Sequence, residues 1–291
     1  MKNYVAENER ILNEWRKSYV ETNQQSYPNC SNLDEYFSLD GIMFKGEIVP
    51  NPKKYENGDI NFSWMRKQSD PCGKKENELW TNAPLRILYL TKDQNTSGDI
   101  AWDVRSETFR YPDANCKPEE MFLYTQCAFF RNLVYSLYGI MKTTAGSPMK
   151  CNEFTNEEAL DFADKQIFAR INCKKEVGWD RCYDGDLKKA LENDKEILKR
   201  QISNLDADIF VCCGYSQYIE KSGNRLLNLL NEIGYHFKPE VDDWIYFDEK
   251  RNKIAINSYH LSYMQFNYDG MVKAYSEFLN KHRNFTKSHR E

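Results

Sequence analysis

Three polar residues with complementary chemistry each stand just past a short apolar run in this chain. Asp93 follows RILYLT (86–91), Asn172 closes QIFARIN (166–172), and His260 follows KIAIN (253–257) by three residues. A carboxylate can stabilise a developing cation or position water, and an imidazole can hold a proton at a departing atom. A primary amide offers one donor and one acceptor, enough to read the edge of a pyrimidine. Dissociative cleavage of an N-glycosidic bond leaves a cationic sugar and an anionic base, so it needs a carboxylate near the sugar and a donor near the base oxygen. Asp93 and His260 are the candidate pair for those two places, and Asn172 is the candidate reader of a base taken out of the stack.

A second constellation shares His260. Ser216 in CGYSQY (213–218) follows an apolar run as a nucleophile elbow does, and Ser216, Asp242 or Asp243, and His260 stand in hydrolase chain order. Tyr218 replaces the second glycine of that tight turn, and a helix N-cap is the plainer role for Ser216. The chain has no GxxxxGK[ST], no GxGxxG after a strand and no HExxH, which leaves nucleotide hydrolysis, dinucleotide redox chemistry and zinc proteolysis without support. Nine cysteines, at 30, 72, 116, 127, 151, 173, 182, 212 and 213, form no CxxC, so free thiols and no metal site are expected.

The elements that would position these residues alternate. RILYLT, QIFARIN and DIFVCC (208–213) read as strands buried on both faces, joined later by WIYF (244–247) and KIAIN across the turn-like DEKRN. Helical spacing links Phe130, Leu133, Val134, Leu137 and Met141. It also links Leu187 through Ile202, then Ile219, Leu226, Leu227, Leu230 and Ile233, and finally Val272, Tyr275, Phe278 and Leu279. Strand and helix in alternation predict an α/β fold: three layers, α/β/α, around a central, mainly parallel sheet. Ligands of such sheets gather at the carboxyl ends of the strands, where all three candidates lie. Ahead of this, residues 3–20 place Val5, Leu12, Trp15 and Tyr19 on one helical face. Residues 21–85, rich in Asn, Pro, Gly and Lys, predict long connections with short helical pieces. The expected organisation is an N-terminal extension over 1–85 packed on the core, a main domain over 86–281 and a basic tail over 282–291.

A length of 291 residues, 41% hydrophobic and 14% aromatic, suffices for a sizeable core, and a net charge of −4 excludes a uniformly basic nucleic-acid binder while leaving local patches open. No run of 18 apolar residues or apolar leader is present, from which a soluble, cytoplasmic protein with no membrane partner is expected. A monomer is the expected state.

The chain resembles the uracil-DNA glycosylase superfamily over roughly residues 84–281, in five blocks of matching order. TKDQN (91–95) stands where the family has GQDPY, and FFRNLVYSLYG (129–139) is similar to its SLxNIxKEL helix. ARIN with KEVGW (169–179) is similar to its LLLN block, FVCCGYSQY (210–218) to FLLWGSYAQ, and HLSYMQ (260–265) to HPSPLS. The resemblance implies a three-layer glycosylase fold and a monofunctional DNA glycosylase that flips a base and leaves an abasic site, without metal or organic cofactor. Asp93 would position water, His260 would bond the departing base, and Asn172, with Gln94, Asn95 and Trp102 around it, would recognise the base. Met264 would fill the gap in the stack, while Ser258, Ser262, Lys174 and Lys175 would grip the phosphates of double- or single-stranded DNA. Phe109 and Tyr111 are further candidates for the base-stacking aromatic, and Arg170 and Arg181 for phosphate contact. Both prolines of HPSPLS are missing, and Asn95 replaces a tyrosine that shields the pocket. Those departures imply room for a base larger than uracil, as in relatives that excise modified phage bases. A catalytically silent DNA-binding or adaptor protein on the same fold is the alternative.

Overall fold

The computed structural model describes residues 2–25, 31–51, 53–54, 60–61, 64–94, 100–109, 127–178, 182–219, 222–263 and 266–285. The first helix, α1 (Tyr4–Gln24), starts where the Asn3 side chain accepts the Ala6 amide at 3.0 Å, and Tyr4, Val5, Asn8, Ile11, Leu12 and Trp15 form its buried face.

The central sheet holds seven strands: β1 (Gly41–Ile42), β6 (Ile87–Thr91), β7 (Ala169–Asn172), β8 (Ile209–Cys213), β9 (Lys238–Val241), β10 (Ile245–Asp248) and β11 (Lys253–Ser258). Their order is β1-β7-β6-β8-β11-β10-β9. The four inner strands β7, β6, β8 and β11 run parallel, and β1, β10 and β9 add antiparallel edges, making the sheet mixed with a parallel centre.

Side-chain alternation divides the inner strands between two cores. Leu88, Leu90, Phe210 and Cys212 face one cluster, with α1, α2 (Lys74–Thr81), α5 (Asp184–Asn193), α6 (Lys195–Leu205) and α7 (Arg225–Glu232). Ile87, Tyr89, Val211 and Cys213 face the other, with α3 (Ala128–Lys142), α4 (Asn156–Lys165) and α8 (Tyr268–Lys281). Burial of each large apolar side chain stabilises the fold by roughly 1.5–3 kcal/mol, which is what keeps both helical layers on the sheet. Cys212 and Cys213 are core on opposite faces. No helix among the described residues is long and apolar enough to cross a membrane.

The structure departs from the sequence reading in several places. The helical pattern from Leu187 to Ile202 is two helices, broken at Asp194, where consecutive Asn193 and Asp194 compete for their own backbone. Ile219 lies in a turn outside α7, which begins only at Arg225 because the Asn224 side chain accepts the Leu226 amide at 3.0 Å. The helix α4, which the sequence reading lacks, is closed at its start by a reciprocal Thr155–Glu158 capping box. Residues 31–85 hold more than connections. They supply β1 to the central sheet, together with β2 (Ile48–Pro50) paired to β5 (Trp64–Arg66), and β3 (Lys53–Lys54) paired to β4 (Ile60–Asn61). Gly41 permits the first of these: its φ is +135°, and a Cβ there would stand 2.4 Å from the Asn8 amide nitrogen of α1.

Candidate active site

Parallel pairing brings the strand ends to one edge. Thr91 is in register with Asn172, Leu90 with Cys212, and Cys213 with Ser258. The chain moves from β6 to β7 on one side and then to β8 on the other, so the connections diverge beside β6, where a crevice is expected. Beyond the strands, the Lys174 amide donates to the Lys92 carbonyl at 2.8 Å and the Gly178 amide to the Gln94 carbonyl at 2.7 Å. These bonds tie the two loops together around Asp93.

Asp93 is a buried carboxylate short of partners. Its Oδ2 stands 3.6 Å from the Lys174 ammonium, beyond hydrogen-bond range, and accepts no hydrogen bond among the described residues. The Lys174 ammonium donates instead to the Glu176 carbonyl at 2.8 Å. Gly178 passes so close that a Cβ there would lie 2.3 Å from Oδ2. Burial pushes the Asp93 carboxyl above the usual carboxylate range, against the pull of Lys174 and of a hydrogen bond from Cys182. The Cys182 thiol is itself pushed up to about 12, first by burial and then by Asp93, which keeps it a protonated donor.

His260 is held neutral. Burial, then the charges of Lys92 and Arg170, lower its pKa to about 4. The Ser262 amide donates to Nδ1 at 3.3 Å, so the neutral ring carries its proton on Nε2. That bond occupies the nitrogen a triad aspartate would need. The Asn132 side chain of α3 donates to the carbonyls of Leu261 at 2.7 Å and Tyr263 at 3.2 Å, pinning the loop. The Phe129 ring lies 6.0 Å from the imidazole, with the Arg170 guanidinium 4.5 Å from its centroid.

An aromatic cleft of about 330 Å³ adjoins His260, lined by Tyr215, Ser216, Tyr218, Tyr259 and Tyr263. Tyr259 stacks on Tyr263 at 5.0 Å and 19°, and meets Tyr215 edge-on at 4.9 Å. A larger cleft of about 440 Å³ lies against α5, α6 and α7, with Lys195 and Arg225 paired to Glu232 and Asp184.

Several sequence candidates lie inward of this edge. Asn172 is fully buried: its amide donates to Ser38 Oγ at 3.0 Å and its carbonyl accepts from Thr91 Oγ1 at 2.6 Å, so neither end faces the crevice. Lys175 is sealed in an ion pair with Asp40, out of reach of a phosphate. Ser258 is buried, and its hydroxyl donates to the Tyr259 carbonyl at 3.1 Å. Gln94 clamps the Trp102 backbone through both ends of its amide, while the Trp102 indole donates to Glu107, the partner of Arg170. Phe109 is core. Ser262 is exposed beside His260. Asn95, Met264, Tyr111, Arg181 and residues 286–291 lie outside the described residues.

Sequence reasoning missed Cys182, Gly178, Asn132 and the tyrosine cleft. The cleft had a signal in the paired spacings of Tyr215 with Tyr218 and Tyr259 with Tyr263, whereas nothing local marks Cys182 as a partner of Asp93. Among the described residues no group of three or more His, Cys, Asp or Glu side chains could hold a metal ion. No protein-family model, curated protein or solved structure matches this chain.

Proposed function

We propose that this protein hydrolyses an N-glycosidic bond in DNA, releasing uracil or a modified pyrimidine from a flipped nucleotide. The observation that carries the reading is the Asp93 Oδ2: a desolvated carboxylate oxygen that accepts no hydrogen bond among the described residues, at the strand edge where ligands of parallel sheets collect. Such an oxygen gains most when a cation develops beside it, as at C1′ of a sugar losing its base. The order of motifs shared with uracil-DNA glycosylases supports the same assignment.

In this reaction the C1′–N bond breaks with its electron pair leaving on the base, and a water oxygen bonds to C1′. The water proton passes to Asp93, whose raised pKa makes it a better acceptor than an ordinary aspartate. The Nε2–H of neutral His260 stabilises the anionic base oxygen, and solvent then protonates the base. Imidazolium would be the wrong state for a long-lived neutral donor, and Lys92 and Arg170 oppose it.

The test uses single-stranded and duplex DNA containing uracil, hydroxymethylcytosine or its glucosylated form, followed by alkali to cut abasic sites. Strand scission with the native chain and its loss with Asp93→Asn are expected. A second reading, a catalytically silent DNA-binding protein, draws on the close cover that Gly178 and Cys182 place over Asp93. It takes over if no substrate is cut while DNA is still bound.

A further inference from the structure

The tyrosine cleft is a built feature that the chemistry of Asp93 and His260 does not require. Tyr218 is 87% exposed and Tyr263 44% exposed, although burying a ring is the favourable outcome in a folded chain. The Tyr259–Tyr263 pair presents parallel ring planes, and Tyr218 lines the same opening from the loop after β8. At about 330 Å³ the cleft is at the small end of ligand sites and suits a planar ring and its immediate attachments.

Charge narrows the occupant. The described lining is four tyrosines, a serine, a glutamine and His260, without a carboxylate. Of the cations that act on His260, Arg170 is held by Glu107, and Lys92 is the one that brings positive charge to this corner although the whole chain is acidic. A positive field disfavours an ammonium guest, which aromatic cages otherwise attract. It favours a ring carried on an anionic backbone.

We propose that this cleft stacks an unpaired nucleobase next to the reacting nucleotide, and that the protein therefore engages single-stranded rather than fully paired DNA. Base-on-tyrosine stacking is tolerant of sequence because every base presents a π-face. A base inside a duplex has both faces covered until a neighbour is flipped out, whereas an unpaired strand offers its faces without that unstacking cost. The inference rests on the glycosylase reading for its DNA partner and adds the strand form and the residues that enforce it.

The test is fluorescence anisotropy with a labelled oligothymidylate, which carries no excisable base, against the same strand annealed to oligodeoxyadenylate. Expected is tighter binding of the single strand, weakened roughly tenfold by Tyr218→Ala and by Tyr263→Ala, and retained in Tyr263→Trp. Unaltered melting of Tyr218→Ala, whose ring is almost wholly in solvent, separates loss of stacking from loss of fold. Equal affinity for duplex and single strand, or tyrosine variants that bind as the native chain does, would overturn the proposal. So would competition by a neutral oligosaccharide as effective as oligothymidylate. Because the probe cannot be cleaved, loss of base release with intact tyrosine-dependent binding points to failure of the glycosylase reading instead. Base release from duplex DNA that ignores both tyrosines counts against the cleft alone.

Discussion

Lys174 and Lys175 are adjacent in sequence, and each is paired with an aspartate, yet the two pairs are built to opposite ends. The Lys175 ammonium lies 2.5 Å from Asp40 Oδ2, and the two side chains are 1% and 0% exposed. Asp40 also accepts the Asn172 backbone amide at 2.8 Å and the Gln201 side chain at 2.8 Å, so both of its oxygens are satisfied. Lys174 stands 3.6 Å from Asp93, whose Oδ2 accepts no hydrogen bond among the described residues. A saturated carboxylate has no capacity for a ligand, whereas an undersatisfied one stores the desolvation cost that a passing cation would relieve. The same two residue types therefore hold α1, β7 and α6 together on one side of β7 and leave an undersatisfied oxygen on the other.

The comparison breaks most sharply at Lys175. Lys175→Met leaves Asp40 charged and buried without its cation, and removal of one partner from such a pair costs about 3–5 kcal/mol. Urea denaturation should show that loss in the midpoint, and a midpoint close to native would mean that Asp40 takes up a proton or water at little cost.

On the other side of β7 the expectation reverses. Asp93→Asn should lower base release by roughly 100- to 1,000-fold, as for loss of one preorganised electrostatic group, while the fold stays as stable or gains slightly. The gain follows because the amide removes a charge that burial disfavours at this place. A variant that loses turnover and folding stability together would make Asp93 another Asp40.

Asn172 tests where the boundary between the two regions runs. Its side chain bonds Ser38 and Thr91, so Asn172→Ala takes the donor from the buried Ser38 hydroxyl and leaves Thr91 its bond to the Ile171 carbonyl, and should cost about 1–3 kcal/mol in denaturation. Asn172→Asp should likewise destabilise without redirecting base choice. A changed base profile in a stable Asn172→Asp protein would bring the amide back into the recognition site.

The legible and illegible parts of the molecule divide along the range of the interactions involved. The strand at Ile87–Thr91 and the helix at Ala128–Lys142 follow from apolar runs and period, which are local, and so does the exit of Asp93 and His260 at one edge. The edge strand β1 is two residues long, and its place depends on Arg170 and Ala169 more than 120 residues away, beyond any local pattern. The strand β9 carries Pro239 and reads as a connection, although an edge position tolerates proline. At the site, residue type was readable and partner was not. Nothing near Asn172 in sequence shows Ser38 or Asp40 waiting for it, and nothing near Asp93 shows Cys182.

The smallest expected effect concerns the acid limb of the rate. His260 remains neutral until pH falls to about 4, so it does not limit activity in mildly acidic solution. Asp93 must be ionised, and its carboxyl titrates above the usual aspartate range because burial outweighs Lys174. Base release should therefore rise with pH through the Asp93 titration, at a pH higher than an exposed aspartate would give. Lys174→Met removes the cation that stabilises the carboxylate, so the limb should move to still higher pH with the plateau rate nearly kept. A pH–rate profile of the two proteins decides it. A limb that stays in place would show that 3.6 Å separates the pair too far to couple, and a shift to lower pH would mean that Lys174 excludes water from Asp93 more than it neutralises it.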